Sequence, residues 1–320
     1  MIFYSLLLFF LSTKTPEVLA GDSGPQRPDC QTSLSKQTET IPKDRASKIE
    51  LGFTWAPGTS EDSAKKALIL DTLKEIDRIF PSIAWPRKLN IVMTSKREGL
   101  ATRIAPWRVT LSDLLSGPDL KKVFLHEFGH ILFRIALYRT AFASKGRNIV
   151  GTTLPVKGYS LIYDGIEEFF ADLLTVLVTL DQKSIRECCD HLYIVDPPLD
   201  PWPLFQRRWH RYRDFSVPIT LDEFKDQILP FCQEGNRIYR TENFKNEFDE
   251  VHGYFGWLRA RVGVHFETIK KNRADFINRF LQIAAFWDAS LREKENDSVL
   301  EKVIAANEFF AEELGINDNP

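Results

Sequence analysis

Positive charge in excess, long apolar runs, glycine and cysteine are all scarce in this chain. Lys and Arg number 42 against 44 Asp and Glu, a net charge of -2. No polycationic surface follows from that balance, which argues against nucleic acid as a main partner. Only 16 of 320 residues are Gly, beside 12% aromatics, so collagen-like, low-complexity and repeat architectures are excluded. The apolar run Ile2 to Leu11 spans about ten residues, too few to cross a bilayer. Four cysteines, Cys30, Cys188, Cys189 and Cys232, show no CxxC spacing, which speaks against a four-thiolate zinc site. Their even number suits an oxidising compartment. A bond between adjacent Cys188 and Cys189 would strain the chain, so two crossed pairings with Cys30 and Cys232 stand beside the alternative of reduced, buried thiols.

What is present is a globular composition, 43% hydrophobic, able to bury one large core or two modest ones. Residues 1–20 read as a secretory signal: the apolar run is followed by Val18-Leu19-Ala20 before Gly21, which fits a cut after Ala20. The expectation is a secreted or periplasmic protein with no stable membrane insertion after cleavage. Residues 21–48 are rich in Ser, Thr, Pro, Gln and Lys and read as a flexible arm. A folded domain is expected over 49–320, with an α/β lobe at about 49–140 and a helical lobe at about 160–320.

Within the first lobe, Glu61 to Phe80 has helical period and is closed by Pro81. Leu89 to Met93 and Thr102 to Leu111 read as strands, the second placed at a sheet edge or bulge by Pro106. Ser116-Gly117-Pro118-Asp119 signals a helix start, after which Leu120, Phe124, Phe128, Ile131 and Ile135 recur at helical spacing. Leu161 to Leu180 reads as a buried helix, and the segments around 221–231, 243–262, 267–287 and 296–314 as further helices.

The chemistry sits in His126-Glu127-Phe128-Gly129-His130, an HExxH on a helix. Imidazoles four residues apart share one helix face and can share one metal ion, with Glu127 beside them to handle water. Chance supplies about 0.01 such matches in a chain of this composition, so coincidence is a poor explanation. A catalytic zinc needs a third protein ligand. The metzincin pattern is excluded because Phe133 and Ala136 occupy its Gly and His positions. Glu168 and Asp172, four apart on the next helix, let one carboxylate bind zinc while the other accepts the spare N–H of a ligating imidazole. Glu167 has Ala171 at the corresponding place, so Glu168 is the expected ligand.

HExxH followed by a helical ExxxD resembles the gluzincin division of zinc metallopeptidases, the thermolysin-like clan. The likeness covers about residues 118–180. It implies an α+β, zincin-like fold: a small mixed lobe with an edge strand and an active-site helix, then a mainly helical lobe. It also implies one Zn2+ per chain held by His126, His130 and Glu168, with Glu127 as general base and Asp172 orienting His126. The strand at Thr102 to Leu111 would then run along the cleft and pair with an extended peptide or protein substrate. The aminopeptidase GAMEN-type sequence is absent before the helix, which disfavours that activity.

An oxyanion donor is expected from His252-Gly253-Tyr254, ahead of Arg259 and Arg261, with Tyr159 and Tyr163 as competitors. Two other readings stand beside the peptidase. One is a zinc hydrolase of a non-protein amide, such as a cell-wall peptide cross-link. The other is a structural zinc protein in which His191 or His252 supplies a fourth ligand.

Overall fold

The computed structural model describes residues 49–55, 62–95, 99–101, 106–143, 160–185, 213–230, 253–291 and 299–317. The expected signal and arm, the four cysteines, Tyr159, His191 and His252 lie outside them. The described residues all belong to one unit, Pro42–Pro320.

Strands β1 (Glu50–Trp55), β2 (Lys88–Thr94), β3 (Gly99–Ala101) and β4 (Trp107–Ser112) form one sheet in the order β1-β2-β4-β3. The first, second and fourth run parallel, and β3 pairs antiparallel with β4. Leu89, Ile91 and Met93 alternate along β2 and are fully buried. The register sets Ile91 beside Phe53 and Val109, and Met93 beside Leu111, so one face of the sheet enters the core. Parallel neighbours need a crossover, which α1 (Ser63–Ile79) supplies between β1 and β2. Asp62 starts that helix by accepting from the Ala64 and Lys65 amides at 2.9 and 3.1 Å.

Two strand expectations change. β1 is an element that the sequence reading does not name, although Leu51, Phe53 and Trp55 alternate along it with Glu50, Gly52 and Thr54. The strand read over Thr102 to Leu111 begins only at Trp107. Pro106 has no N–H to give, so it precedes β4, which pairs on both sides. The edge position next to β4 therefore belongs to β3.

Helix α2 (Gly117–Ala143) begins at the expected signal, with Gly117 at φ +51°. Helix α3 (Ser160–Thr179) packs along it. They come close at Gly129, where an added Cβ would lie 2.8 Å from Ala171 Cα and 3.2 Å from Ala171 Cβ. The glycine between the two imidazoles and the alanine four residues past Glu167 thus have one cause: the helices touch backbone to backbone.

The later part of the chain is helical among the described residues. The short α4 (Leu221–Glu223) runs into a π-helical turn, Phe224–Ile228. Then come α5 (Gly256–Val264), α6 (Phe266–Ile269), α7 (Arg273–Leu291) and α8 (Val299–Leu314). Buried side chains from the sheet, α2, α3 and these helices form one apolar cluster. Phe280 links its parts, with ring centroids 5.3 Å from Phe169 and 5.1 Å from Phe310. The architecture is mixed α/β with a three-stranded parallel core to the sheet and mostly helices, compatible with the α+β class.

Two contacts dock α5. Asn307 of α8 accepts from the Leu258 amide at 3.1 Å and donates to the Tyr254 carbonyl at 2.7 Å, serving the helix start that Phe255 leaves without a side-chain cap. At the other end, a Cβ on Gly263 would fall 1.7 Å from the Phe215 carbonyl oxygen, so only glycine lets residues 213–217 lie there.

The helix contact yields a prediction. Gly129→Ala would gain about 1 kcal/mol in an exposed helix. Here the methyl meets backbone, and a net loss of about 1 to 3 kcal/mol in urea unfolding is expected, the range for overpacking. A more stable variant would show that α2 and α3 do not meet at this point.

Candidate metal centre

Residues 126 and 130 stand one turn apart on α2, and the close approach at Gly129 brings Glu168 of α3 between them. His126 Nε2 and His130 Nε2 are 3.2 Å apart. Glu168 Oε2 lies 3.3 Å from His126 Nε2, and Glu168 Oε1 lies 3.5 Å from His130 Nε2. His126, His130 and Glu168 therefore form a group that could hold one metal ion. Glu127, next in sequence to His126, is buried beside it.

Each imidazole turns its other nitrogen to a carboxylate. His126 Nδ1 is 3.0 Å from Asp172 Oδ1, as the ExxxD spacing implies. His130 Nδ1 is 2.7 Å from Glu167 Oε1, a contact absent from the sequence expectation. Both carboxylates are themselves held by arginine. Glu167 Oε2 accepts from Arg134 Nε at 2.9 Å, and Arg134 also pairs with Oε1. Asp172, fully buried, accepts from Arg213 Nε at 3.2 Å and from Arg259 at 3.2 Å (Nε) and 2.7 Å (a terminal nitrogen). Arg213 makes a second, parallel bond to Asp172 Oδ1. Arg259 is also fully buried and lies over the Phe169 ring at 5.5 Å.

These arginines were not legible as parts of the centre. Arg134 continues the four-residue stripe His126, His130, Arg134 on α2, which is the one signal that could have found it. Arg213 and Arg259 are separated from Asp172 by 41 and 87 positions. Of the expected donors near α5, Tyr254 is fully buried in the apolar cluster and His252 lies outside the described residues. Arg261 donates to the Ile316 carbonyl at 2.8 Å. Tyr163 packs its ring 5.7 Å from that of Phe133.

The electrostatics follow from burial against pairing. Burial opposes the charge on His126, but hydrogen bonds and charges of Asp172 and Glu168 outweigh it and push its pKa up to about 10. His130 is also raised against burial, by Glu168 and Glu167. Burial raises the Glu127 carboxyl, partly countered by the two imidazoles. Burial would raise Asp172 too, yet Arg213 and Arg259 hold it well below the usual carboxylate range. Burial lowers the Arg259 guanidinium, with Asp172 opposing.

A cavity of about 320 Å³ is lined by Trp85, Pro86, Arg87, Lys88, Pro106, Trp107 and Ile135. Ile135 is about two and a half turns past His126, on the opposite side of α2, so this cavity is not the metal centre. Comparison of the chain with family models, with curated proteins and with solved structures finds no match.

Two predictions arise. Asp172→Asn removes the carboxylate that two buried guanidiniums share, so it is expected to cost about 3 to 5 kcal/mol in chemical denaturation besides weakening metal binding. A variant as stable as the parent would show that the arginines find other partners. Second, metal ligation needs neutral imidazoles, whereas metal-free His126 keeps its proton up to about pH 10. Metal uptake near neutral pH should therefore release protons, and affinity should rise with pH. Titration calorimetry in buffers of different ionisation enthalpy counts those protons, and a count of zero would contradict the arrangement.

Proposed function

We propose that the protein is a secreted, zinc-dependent metallopeptidase of gluzincin type with a zincin-like fold. The spacing of the three donors carries this reading. Tetrahedral ligands about 2.0 to 2.2 Å from zinc stand about 3.3 to 3.6 Å from one another, and the three separations here are 3.2, 3.3 and 3.5 Å. Two imidazoles and a carboxylate suit zinc in kind as well as in distance. A three-donor set leaves one tetrahedral position for water or substrate.

Zinc held there would supply a Lewis acid that polarises a carbonyl and lowers the pKa of water towards about 7. Glu127 takes the proton of the attacking water on its carboxylate and later delivers it to the leaving amine. Its burial supports both halves of that task, because a carboxyl raised from the ordinary range holds the proton between the two transfers. Asp172 and Glu167 keep the imidazoles turned with Nε2 towards the metal position.

A peptide is the favoured substrate because of β3. Among the described residues this strand forms the antiparallel edge of the sheet and lies against α2, so an extended chain adding to it would run beside the helix that carries the ligands. That role passes to β3 from the longer strand expected at Thr102 to Leu111. The apolar N-terminal run supports export, and among the described residues no helix is long and apolar enough to cross a membrane.

Glu127→Gln tests the proposal. The substitution is nearly isosteric but cannot accept a proton, so the zinc-loaded variant should keep its metal and fold while turnover of a denatured-protein or mixed-peptide digest falls about 10² to 10⁴-fold. Cleavage at the parent rate with matched zinc content would refute the peptidase. A zinc-loaded parent that cleaves nothing would favour the non-protein amide or the structural reading.

A further inference from the structure

We propose that Arg134 is a positioning residue of the metal centre, acting through Glu167 to hold the His130 imidazole with Nε2 towards the metal. The inference rests on the reading of His126, His130 and Glu168 as metal ligands.

Two adjacent glutamates of α3 face α2, and they have separate tasks. Glu168 divides its oxygens between the two Nε2 atoms. Glu167 has both oxygens occupied elsewhere: Oε1 meets His130 Nδ1 and one arm of Arg134, and Oε2 accepts from Arg134 Nε. A planar guanidinium that binds a carboxylate through two parallel bonds fixes its rotation as well as its charge. With Glu167 fixed, Nδ1 of His130 keeps its proton and the lone pair of Nε2 is left for the metal.

Charge gives Arg134 a second effect. Glu167 and Arg134 are 2% and 7% exposed, in a core that already holds Glu127, Glu168 and Asp172. A further buried carboxylate without a cation would be strongly unfavourable there. Arg134 offsets it by pairing with Glu167 while that carboxylate meets His130, so Glu167 is not left to compete with Glu168 for the metal. Among the described residues, the clamp on His126 draws its arginines from residues 213 and 259, whereas the bonds given for the clamp on His130 join α2 to α3. The part of the centre that α2 and α3 supply thus reads HExxHxxxR together with EExxxD, here His126, Glu127, His130, Arg134, Glu167, Glu168 and Asp172.

The experiment measures zinc affinity by competition with a chromophoric chelator and the visible absorption of the cobalt-loaded protein. The proteins compared are the parent, Arg134→Lys, Arg134→Met, Glu167→Gln and the double variant Arg134→Met with Glu167→Gln. Arg134→Met should weaken zinc binding about 10 to 100-fold and shift the cobalt bands, the scale on which groups behind a metal ligand act. Arg134→Lys, which keeps charge but loses the fork, should fall between. The double variant should bind more tightly than Arg134→Met alone, because a neutral amide still accepts from Nδ1 and no buried carboxylate is left unpaired. It also protects the test against a single variant that fails to fold. Affinities and cobalt bands equal to the parent in both Arg134 variants, whatever their melting temperatures, would make Arg134 a mere ion pair between helices and overturn the proposal. A parent that binds neither ion would instead overturn the ligand assignment on which it rests.

Discussion

The candidate metal centre is held together by the contact of α2 with α3 at Gly129 and Ala171. A helix pair separated by ordinary side chains has its axes about 8 to 10 Å apart. Replacing the intervening side chains by a hydrogen and a methyl lets the backbones approach to the point where one more Cβ would sit 2.8 Å from its neighbour. Only then does a carboxylate as short as Glu168 reach both imidazoles at once. The low helix propensity of Gly129 is the cost of that approach, and it falls on the residue that lies between the two histidines in sequence.

Close approach also concentrates charge. Glu127, Glu167, Glu168 and Asp172 are all buried, and isolated carboxylates in such a place would protonate or force the helices apart. Three buried arginines answer two of these carboxylates. Arg134 serves Glu167 from within α2, while Arg213 and Arg259 jointly serve Asp172 from later in the chain. The helical part is thus more than a lid on the apolar core. Asn307 completes the start of α5, Gly263 admits residues 213–217 at its end, and both contacts bring an arginine to Asp172.

A metal placed among the three donors would enter a site already shaped by these pairs. Preorganisation of this kind means that the imidazoles need not reorient on binding, and that protons rather than side chains are displaced. The same pairs hold the outward imidazole nitrogens in a water-poor setting, where charge-assisted hydrogen bonds are strongest.

Much of this was legible along the chain. The helical periods over Glu61 to Phe80, Leu120 to Ile135 and Leu161 to Leu180, the start signal at Gly117-Pro118 and the alternation in β2 are local properties of backbone geometry, and helices Ser63–Ile79, Gly117–Ala143 and Ser160–Thr179 and strand Lys88–Thr94 answer to them. The HExxH and ExxxD spacings likewise fix which side chains share a face, because a helix repeats every 3.6 residues whatever surrounds it. β1 is harder to read: Leu51, Phe53 and Trp55 alternate, but over only 6 residues and around a glycine, and the strand read over Thr102 to Leu111 starts late because pairing on both sides is decided by neighbours. Local spacing along the chain thus accounts for the helices, for β2, for the histidine pair and for the carboxylates able to meet it. Only the tertiary structure decided that Glu167 and Arg134 stand behind His130, that Arg213 and Arg259 neutralise Asp172, and that Tyr254 belongs to the core. Contacts within a helix are set by local spacing, whereas contacts between helices depend on how closely and at what rotation the finished elements pack.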